Sequence, residues 1–299
     1  MLKGKIEIHN RVSINDISKG NNSTLDLIYT PGVAFVAKEI STNKELAYDY
    51  TSKWNNVAIV CDGTRVLGLG EIGPEGAIPV MEGKSVLFKA LGGINAFPLC
   101  IDTKDKEEII RIVKAIQPVF GAVNIEDIES PKVLEIVERL HKDLSIPVFH
   151  DDQHGTAIIA LAGLLNALKL LQKRIDSIRV VIAGAGSAGY GIFRILKEAG
   201  CRSIVVTDSQ GAIYQNRSKG IESPYKKEIA DQTNPMKSSG SLADVLKGAD
   251  VFIGVSGKAR LIDKEMVQSM NSSPIVFALS NPDPEILPSN ALEAGASIV

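Results

Sequence analysis

Residues 180–200 read VVIAGAGSAGYGIFRILKEAG, and this stretch decides the fold. An apolar, β-rich run enters GAGSAG, where Gly184, Gly186 and Gly189 fall in the GxGxxG spacing, and helix-period sequence follows at once. In that strand–turn–helix context each glycine has its own task. Gly184 permits the tight turn, Gly186 lets backbone approach a pyrophosphate, and Gly189 lets the helix pack on the strand. The phosphates then sit at the positive end of a helix. Gly184, Ala185, Gly186, Ser187, Ala188 and Gly189 are therefore candidate cofactor contacts. The next β-run, SIVVTD (203–208), ends on Asp208, where a carboxylate can accept hydrogen bonds from a ribose 2′-OH. Ser209 and Gln210 are neutral, and the nearest basic residues in sequence, Arg202, Arg217 and Lys219, do not adjoin Asp208. A 2′-phosphate would add negative charge beside Asp208, so the pattern predicts NAD in preference to NADP, with NADP the other candidate.

Downstream come GSLADVLKGAD (240–250), VFIGVS (251–256) and PIVFALSNP (274–282), which continue a doubly wound α/β order. SPYKKEIADQTNPMKSSG (223–240) is the most loop-like segment. Upstream, VAIVCD (57–62) and the glycine-rich turns of VLGLGEIGPEGAIP (66–79) precede the helical KEEIIRIVKAIQP (106–118), which feeds AVNIEDI. A second helical segment, PKVLEIVERLHKDL (131–144), feeds IPVFHDD. Strands that alternate with helices imply parallel pairing. TAIIALAGLLNALKLLQK (156–173) is apolar nearly all round and predicts a buried helix joining two units. The expectation is an α/β chain with an N-terminal α/β domain over residues 1–153 and a Rossmann-like doubly wound parallel sheet over 154–299.

Composition sets the class. A chain of 299 residues, 44% hydrophobic, suits two cores and a cleft between them. The formal net charge of −2 gives no overall attraction for nucleic acid or an acidic membrane surface, so a small-molecule substrate is expected. Cys61, Cys100 and Cys201 are odd in number and widely spaced, which suggests neither a disulfide framework nor a zinc cluster. The polar lead KGKIEIHNR holds no apolar leader, and no later run reads as a membrane span, so a cytoplasmic location is expected.

Two acidic pairs end β-like runs: Glu126 and Asp127, then Asp151 and Asp152. Ligands of parallel sheets gather beyond the carboxyl ends of strands, so the pairs can converge. Converging carboxylates repel unless a cation joins them, and oxygen-only ligands favour Mg²⁺ or Mn²⁺ over zinc. The alternative is that they are solvated loop acids or helix caps. His150 and His154 flank the second pair and read as packed or hydrogen-bonded histidines.

Taken together, LIYTPGVA (27–34), DGTRVLGLGEIGPEGAIPVMEGKSVLFK (62–89), NIEDIESP (124–131), FHDDQHGTA (149–157), VVIAGAGSAG (180–189) and FALSNPDPE (277–285) resemble the small-subunit malic enzymes of bacteria and archaea nearly end to end. The resemblance implies oxidative decarboxylation of malate to pyruvate and carbon dioxide, with a divalent metal and NAD(P), in a homodimer. It implies Tyr29 as general acid, Lys84 as general base and Asp151 as the acid that orients the lysine. Glu126, Asp127 and Asp152 match metal ligands, Asn281 a residue near nicotinamide and substrate, and Arg65 a holder of a substrate carboxylate. By residue type alone, Lys84 can act as a base near neutral pH only where burial or a neighbouring cation lowers its pKa, and Tyr29 before Pro31 equally suits a turn anchor. The family sequence continues past the point matching Val299, so the chain reads as truncated there. A malolactic-type decarboxylase, or a dinucleotide- and metal-binding module without turnover, are the competing readings.

Overall fold

The computed structural model describes Asp26, residues 29–66 and residues 68–299; the lead read above as KGKIEIHNR lies outside the described residues. Helices α1 (Gly32–Thr42) and α2 (Leu46–Tyr50) precede β1 (Asn56–Cys61), α3 (Gly73–Gly92), β2 (Asn95–Cys100), α4 (Lys106–Ile116), β3 (Ala122–Ile125), α5 (Lys132–Asp143) and β4 (Val148–His150). The four strands form one sheet in the order β2-β1-β3-β4, all parallel. Both faces of β1 are covered, as expected of a parallel sheet between helices. Val57, Ile59 and Cys61 pack with Ala77 and Met81 of α3, while Ala58 and Val60 face the larger core that holds Ile109 of α4 and Val133 of α5. The glycine-rich stretch from residue 66 is a turn only at its start. From Gly73 it winds into the 20 residues of α3, with Pro74 in the first helical turn, where a missing N–H costs nothing.

A π-helical turn, Asp151–Gly155, then runs straight into α6 (Thr156–Leu171), and the boundary expected between residues 153 and 154 falls inside that turn. Beyond it lie β5 (Arg179–Ala183), α7 (Ser187–Glu198), β6 (Ser203–Asp208), β7 (Gly211–Ala212), α8 (Pro224–Gln232), α9 (Leu242–Leu246), β8 (Val251–Gly254), α10 (Lys264–Gln268), β9 (Ile275–Ala278) and α11 (Pro288–Glu293). Their sheet order is β7-β6-β5-β8-β9, parallel except for β7. The connections leave β5 in opposite directions, toward β6 and toward β8, which opens a crevice at the carboxyl ends of the strands.

Three expectations are corrected here. The segment 223–240 is not all loop, because Ser223 and Pro224 open helix α8. Nor is α6 buried all round. Ala157, Ala160, Leu164, Ala167 and Leu168 are buried in the core, but Ile158, Ile159, Leu165 and Leu170 stand exposed. The continuous helix Asp151–Leu171 is long and apolar enough to cross a membrane by length and composition alone, contrary to the reading of the sequence. Its inner face is committed to protein, since the same core cluster contains Ile109 and Val123 from the first unit and Val180, Ile182 and Phe193 from the second.

The contact between the units depends on Gly191 of α7. A Cβ there would stand 2.3 Å from the Gln153 carbonyl oxygen and 3.0 Å from its carbon, both backbone atoms that cannot swing aside. Gly191→Ala is expected to lower stability by about 1–3 kcal/mol, the usual cost of overpacking. Urea unfolding measures it, and a wild-type midpoint would contradict the close approach of α7 to the 151–155 turn.

Candidate active site

Parallel pairing places Ile125 of β3 opposite His150 of β4, so the chain leaves both strands at one level. Glu126 and Asp127 follow the first strand and Asp151 and Asp152 the second, and the four carboxylates arrive at one edge of the sheet. The backbone helps aim them. Glu126 N–H donates to the Val60 carbonyl at 2.9 Å, and Asp127 takes a left-handed conformation, φ 50°, while its carbonyl accepts from Arg65 N–H at 3.1 Å. Aspartate is among the few side chains that tolerate that region.

Lys84 reaches the cluster from α3. Its Nζ lies 2.6 Å from Asp151 Oδ2 and 3.0 Å from Glu126 Oε1. The other face of the cluster is a three-carboxylate set: oxygens of Glu126, Asp127 and Asp152 all lie within 4.8 Å of one another. One ammonium against four carboxylates leaves negative charge in a half-buried place, and a hard divalent ion suits such an oxygen-only set. The residues therefore fit Mg²⁺ or Mn²⁺. Burial lifts the Glu126 carboxyl above its ordinary pKa, with the Lys84 charge working the other way. For Lys84, burial works to lower the pKa, but the charge of Glu126 and the hydrogen bonds that Lys84 donates to Asp151 and Glu126 prevail, and the net shift is upward. Both close partners of Lys84 are anions, and neither is the neighbouring cation that would lower its pKa. The histidines keep to structure: His150 is fully buried, and His154 Nδ1 accepts from His150 N–H at 3.2 Å beside the ring of Phe149.

The second half of the site is a cleft of about 880 Å³, lined by the glycine turn, by Asp208, Ser256 and Lys258, and by Arg65 from the first unit. Its geometry suits a dinucleotide. Gly184 has φ +119° and a Cβ on it would stand 2.5 Å from the Val255 carbonyl oxygen; a Cβ on Gly189 would stand 1.9 Å from the Gly184 oxygen. Gly186, by contrast, faces open space, where backbone can meet a phosphate. Ala185 lines the same cleft, and Ser187 and Ala188 open helix α7 behind it.

Asp208 is not isolated from cations, and here the sequence reading is corrected. Arg217 folds back to grip it with two bonds, Nη1 to Oδ1 at 2.9 Å and Nη2 to Oδ2 at 2.7 Å, and Lys226 Nζ adds a third at 2.9 Å. Gln210 N–H supplies a fourth. The signal for Lys226 was legible, since Ser223 followed by PYKKEIADQ is a helix start that carries the lysine toward β6. Arg217 sits in an irregular loop with no such signal. Asn281 and Tyr29 are less settled by contacts. Asn281 is exposed in the loop after β9, where its carbonyl lies 3.8 Å from the Cβ position of Gly68; Tyr29 is 66% exposed ahead of α1. Among the described residues, the Tyr29 hydroxyl makes no hydrogen bond to Lys84 or Asp151.

Comparison with known proteins fits this arrangement of two halves. Residues 7–141 match the family described as malic enzyme, N-terminal domain, and residues 153–294 match malic enzyme, NAD binding domain. The chain belongs to the malic enzyme family. It is 53% identical over 297 residues to the bifunctional malic/malolactic enzyme of Bacillus subtilis, covering 99% of this chain and 71% of that one. It is 52% identical to the NAD-dependent malic enzyme of Geobacillus stearothermophilus, covering 96% of this chain and 58% of the relative. The crystal structure of the NAD-dependent malic enzyme from Thermotoga maritima superposes with a TM-score of 0.92 at 48% identity, over 100% of this chain and 78% of that one.

In this malic enzyme fold the Asp208 cluster has a measurable signature. Burial opposes ionisation of Asp208, but the hydrogen bonds from Arg217 and Lys226 outweigh it and hold the pKa at about 2. An unfolded aspartate titrates near about 4, so the stabilisation is fully present above that pH and is lost as pH falls toward 2. Asp208→Asn is expected to be less stable than wild type at pH 7, with the difference shrinking below pH 4. Urea unfolding across that range checks it, and a constant difference down to pH 2 would contradict the depressed pKa.

Proposed function

We propose that this chain catalyses oxidation and decarboxylation of malate to pyruvate and carbon dioxide, with a divalent metal and NAD. The observation that carries the reading is Lys84 held between Asp151 and Glu126, beside a three-carboxylate set, in a chain whose cleft built on the glycine turn is also lined by Arg65 of the first unit. Family membership makes malate the substrate and a nicotinamide dinucleotide the oxidant.

In this reading Glu126, Asp127 and Asp152 hold Mg²⁺ or Mn²⁺. Once bound, the metal and the nicotinamide supply Lewis-acid polarisation of the substrate oxygen and acceptance of a hydride. Everything else falls to side chains. Lys84 takes the proton of the C2 hydroxyl, Asp151 aims the ammonium group, and Arg65 and Asn281 hold the substrate from the two sides of the cleft. Glu126 belongs to both the lysine pair and the three-carboxylate set, so a cation held there would offset part of the charge that raises the Lys84 pKa. Tyr29 returns a proton to C3 after carbon dioxide leaves. NAD is the preferred cofactor, a reading supported by the two NAD-dependent relatives. Charge repulsion at Asp208 cannot be its whole basis, because Arg217 and Lys226 already balance that carboxylate.

The same proposal places the division of labour at residues 153 and 154, the protein in the cytoplasm and the chain in a homodimer. Support for the dimer comes from α1, none of whose residues is buried and which exposes Val33 and Phe35. A second reading is favoured by one observation, the bifunctional malic/malolactic description of the Bacillus subtilis relative. A malolactic reaction would end in lactate without net NADH.

Absorbance at the NADH band, with malate, Mn²⁺ and NAD, tests the main reading. Net NADH with pyruvate is expected; lactate without net NADH would favour the second reading, and no turnover a binding module. Lys84→Ala should reduce turnover by about 10²–10⁴-fold, as loss of a general base does, while sparing dinucleotide binding. Asp152→Asn and Glu126→Gln should each weaken Mn²⁺ binding in calorimetric titration. Unchanged affinity in both would remove the carboxylates from the metal site.

A further inference from the structure

Glu285 is a fully buried carboxylate that the proposed reaction does not use. Among the described residues no lysine, arginine or histidine pairs with it; its oxygens are filled by four donors instead. Oε1 accepts from Ser256 N–H at 2.9 Å, from the Ser256 hydroxyl at 2.8 Å and from the Ser280 hydroxyl, and Oε2 accepts from Ser280 N–H at 3.2 Å. The proton inventory is closed. The Ser280 hydroxyl accepts from Gly257 N–H at 2.8 Å and the Ser256 hydroxyl from Lys258 N–H at 3.1 Å, so each hydroxyl turns its own hydrogen toward Glu285. The acceptor they share is a carboxylate, and bonds to a charged acceptor are the stronger kind.

All four donors belong to two loops, the one leaving β8 and the one leaving β9, and these are the loops of the second unit that meet the first. A Cβ on Gly257 would lie 3.6 Å from Arg65 Nη2, and a Cβ on Gly68 would lie 3.3 Å from Pro282 Cδ. Gly254 completes the seat, because any Cβ there would stand 2.4 Å from the Glu285 carboxyl carbon. We propose that Glu285 is the positioning residue that locks the Ser256–Lys258 and Leu279–Pro282 loops together, and thereby sets where Asn281 and Lys258 stand against Arg65 across the cleft. The inference rests on the reading of that cleft as the place where dinucleotide and substrate meet. The dinucleotide turn and the three-carboxylate set make no bond to Glu285, so its influence falls on alignment and not on holding either group.

Glu285→Gln tests this with almost no change of shape. With its oxygen at the Oε1 position, the amide nitrogen faces Ser280 N–H, donor against donor; the reverse orientation opposes three donors. The expected result is faster amide exchange at residues 255–258 and 279–284, with NADH and Mn²⁺ affinities within about threefold of wild type. Malate kcat should fall by about 10–100-fold, since misplacement of about 1 Å can cost 10²-fold. Ser256→Ala, which removes one hydroxyl donor and spares the carboxylate, should move the same readouts less and keeps the test valid if the glutamine variant folds poorly. Wild-type exchange in both loops of Glu285→Gln overturns the proposal. So does raised exchange with unchanged kcat, or a loss of NADH and Mn²⁺ binding that merely follows a lowered melting temperature. If wild type binds NADH but does not oxidise malate while the exchange result holds, the proposed reaction fails and the lock between the loops stands.

Discussion

The register between β3 and β4 is the constraint on which the site depends. Because Ile125 lies opposite His150 in parallel strands, two acidic pairs far apart in sequence leave the sheet side by side. Antiparallel pairing would have sent them to opposite ends. Once together, the carboxylates need positive charge, and Lys84 from α3 supplies only one unit of it. The shortfall is what makes Glu126, Asp127 and Asp152 a seat for a divalent cation and leaves Asp151 free to hold the lysine.

That arrangement divides the work between charge and position. The anions that orient Lys84 also raise its pKa, so its basicity is coupled to whatever else shares Glu126. Asp208 shows the same economy in the second unit. Its charge is balanced by Arg217 and Lys226 within the second unit, so a cofactor meets a rigid, already bonded acid instead of a free one. Buried carboxyl oxygens need donors, and Asp208 and Glu285 are two solutions, one by cations and one by backbone and hydroxyl donors.

The two units act as one body on the far side of the sheets, where α6 and α7 share a core and Gly191 admits the Gln153 backbone. On the cleft side they meet through turns, with Arg65 and Gly68 against Gly257 and Pro282. Packing is thus dense at the back and sparse at the front, which is where substrate and cofactor must enter.

The sequence by itself determined the strand–turn–helix at GAGSAG, the alternation that makes both sheets parallel, and the two acidic pairs. Period-two and period-3.6 patterns and glycine spacing are local, and local sequence carries them. Resemblance to malic enzymes extended this to Lys84 and Asp151, which the structure places 2.6 Å apart. Tertiary structure alone decided the rest. Arg217 reaches Asp208 through a loop whose path no periodicity encodes, and Lys84 gains a raised pKa because both its neighbours come from other elements. The exposed face of α6 was hidden from a reading of hydrophobicity, since an apolar residue records no partner. Only the folded chain brings Ser256 and Ser280 to Glu285, because hydrogen bonds between loops depend on where the strands before them end.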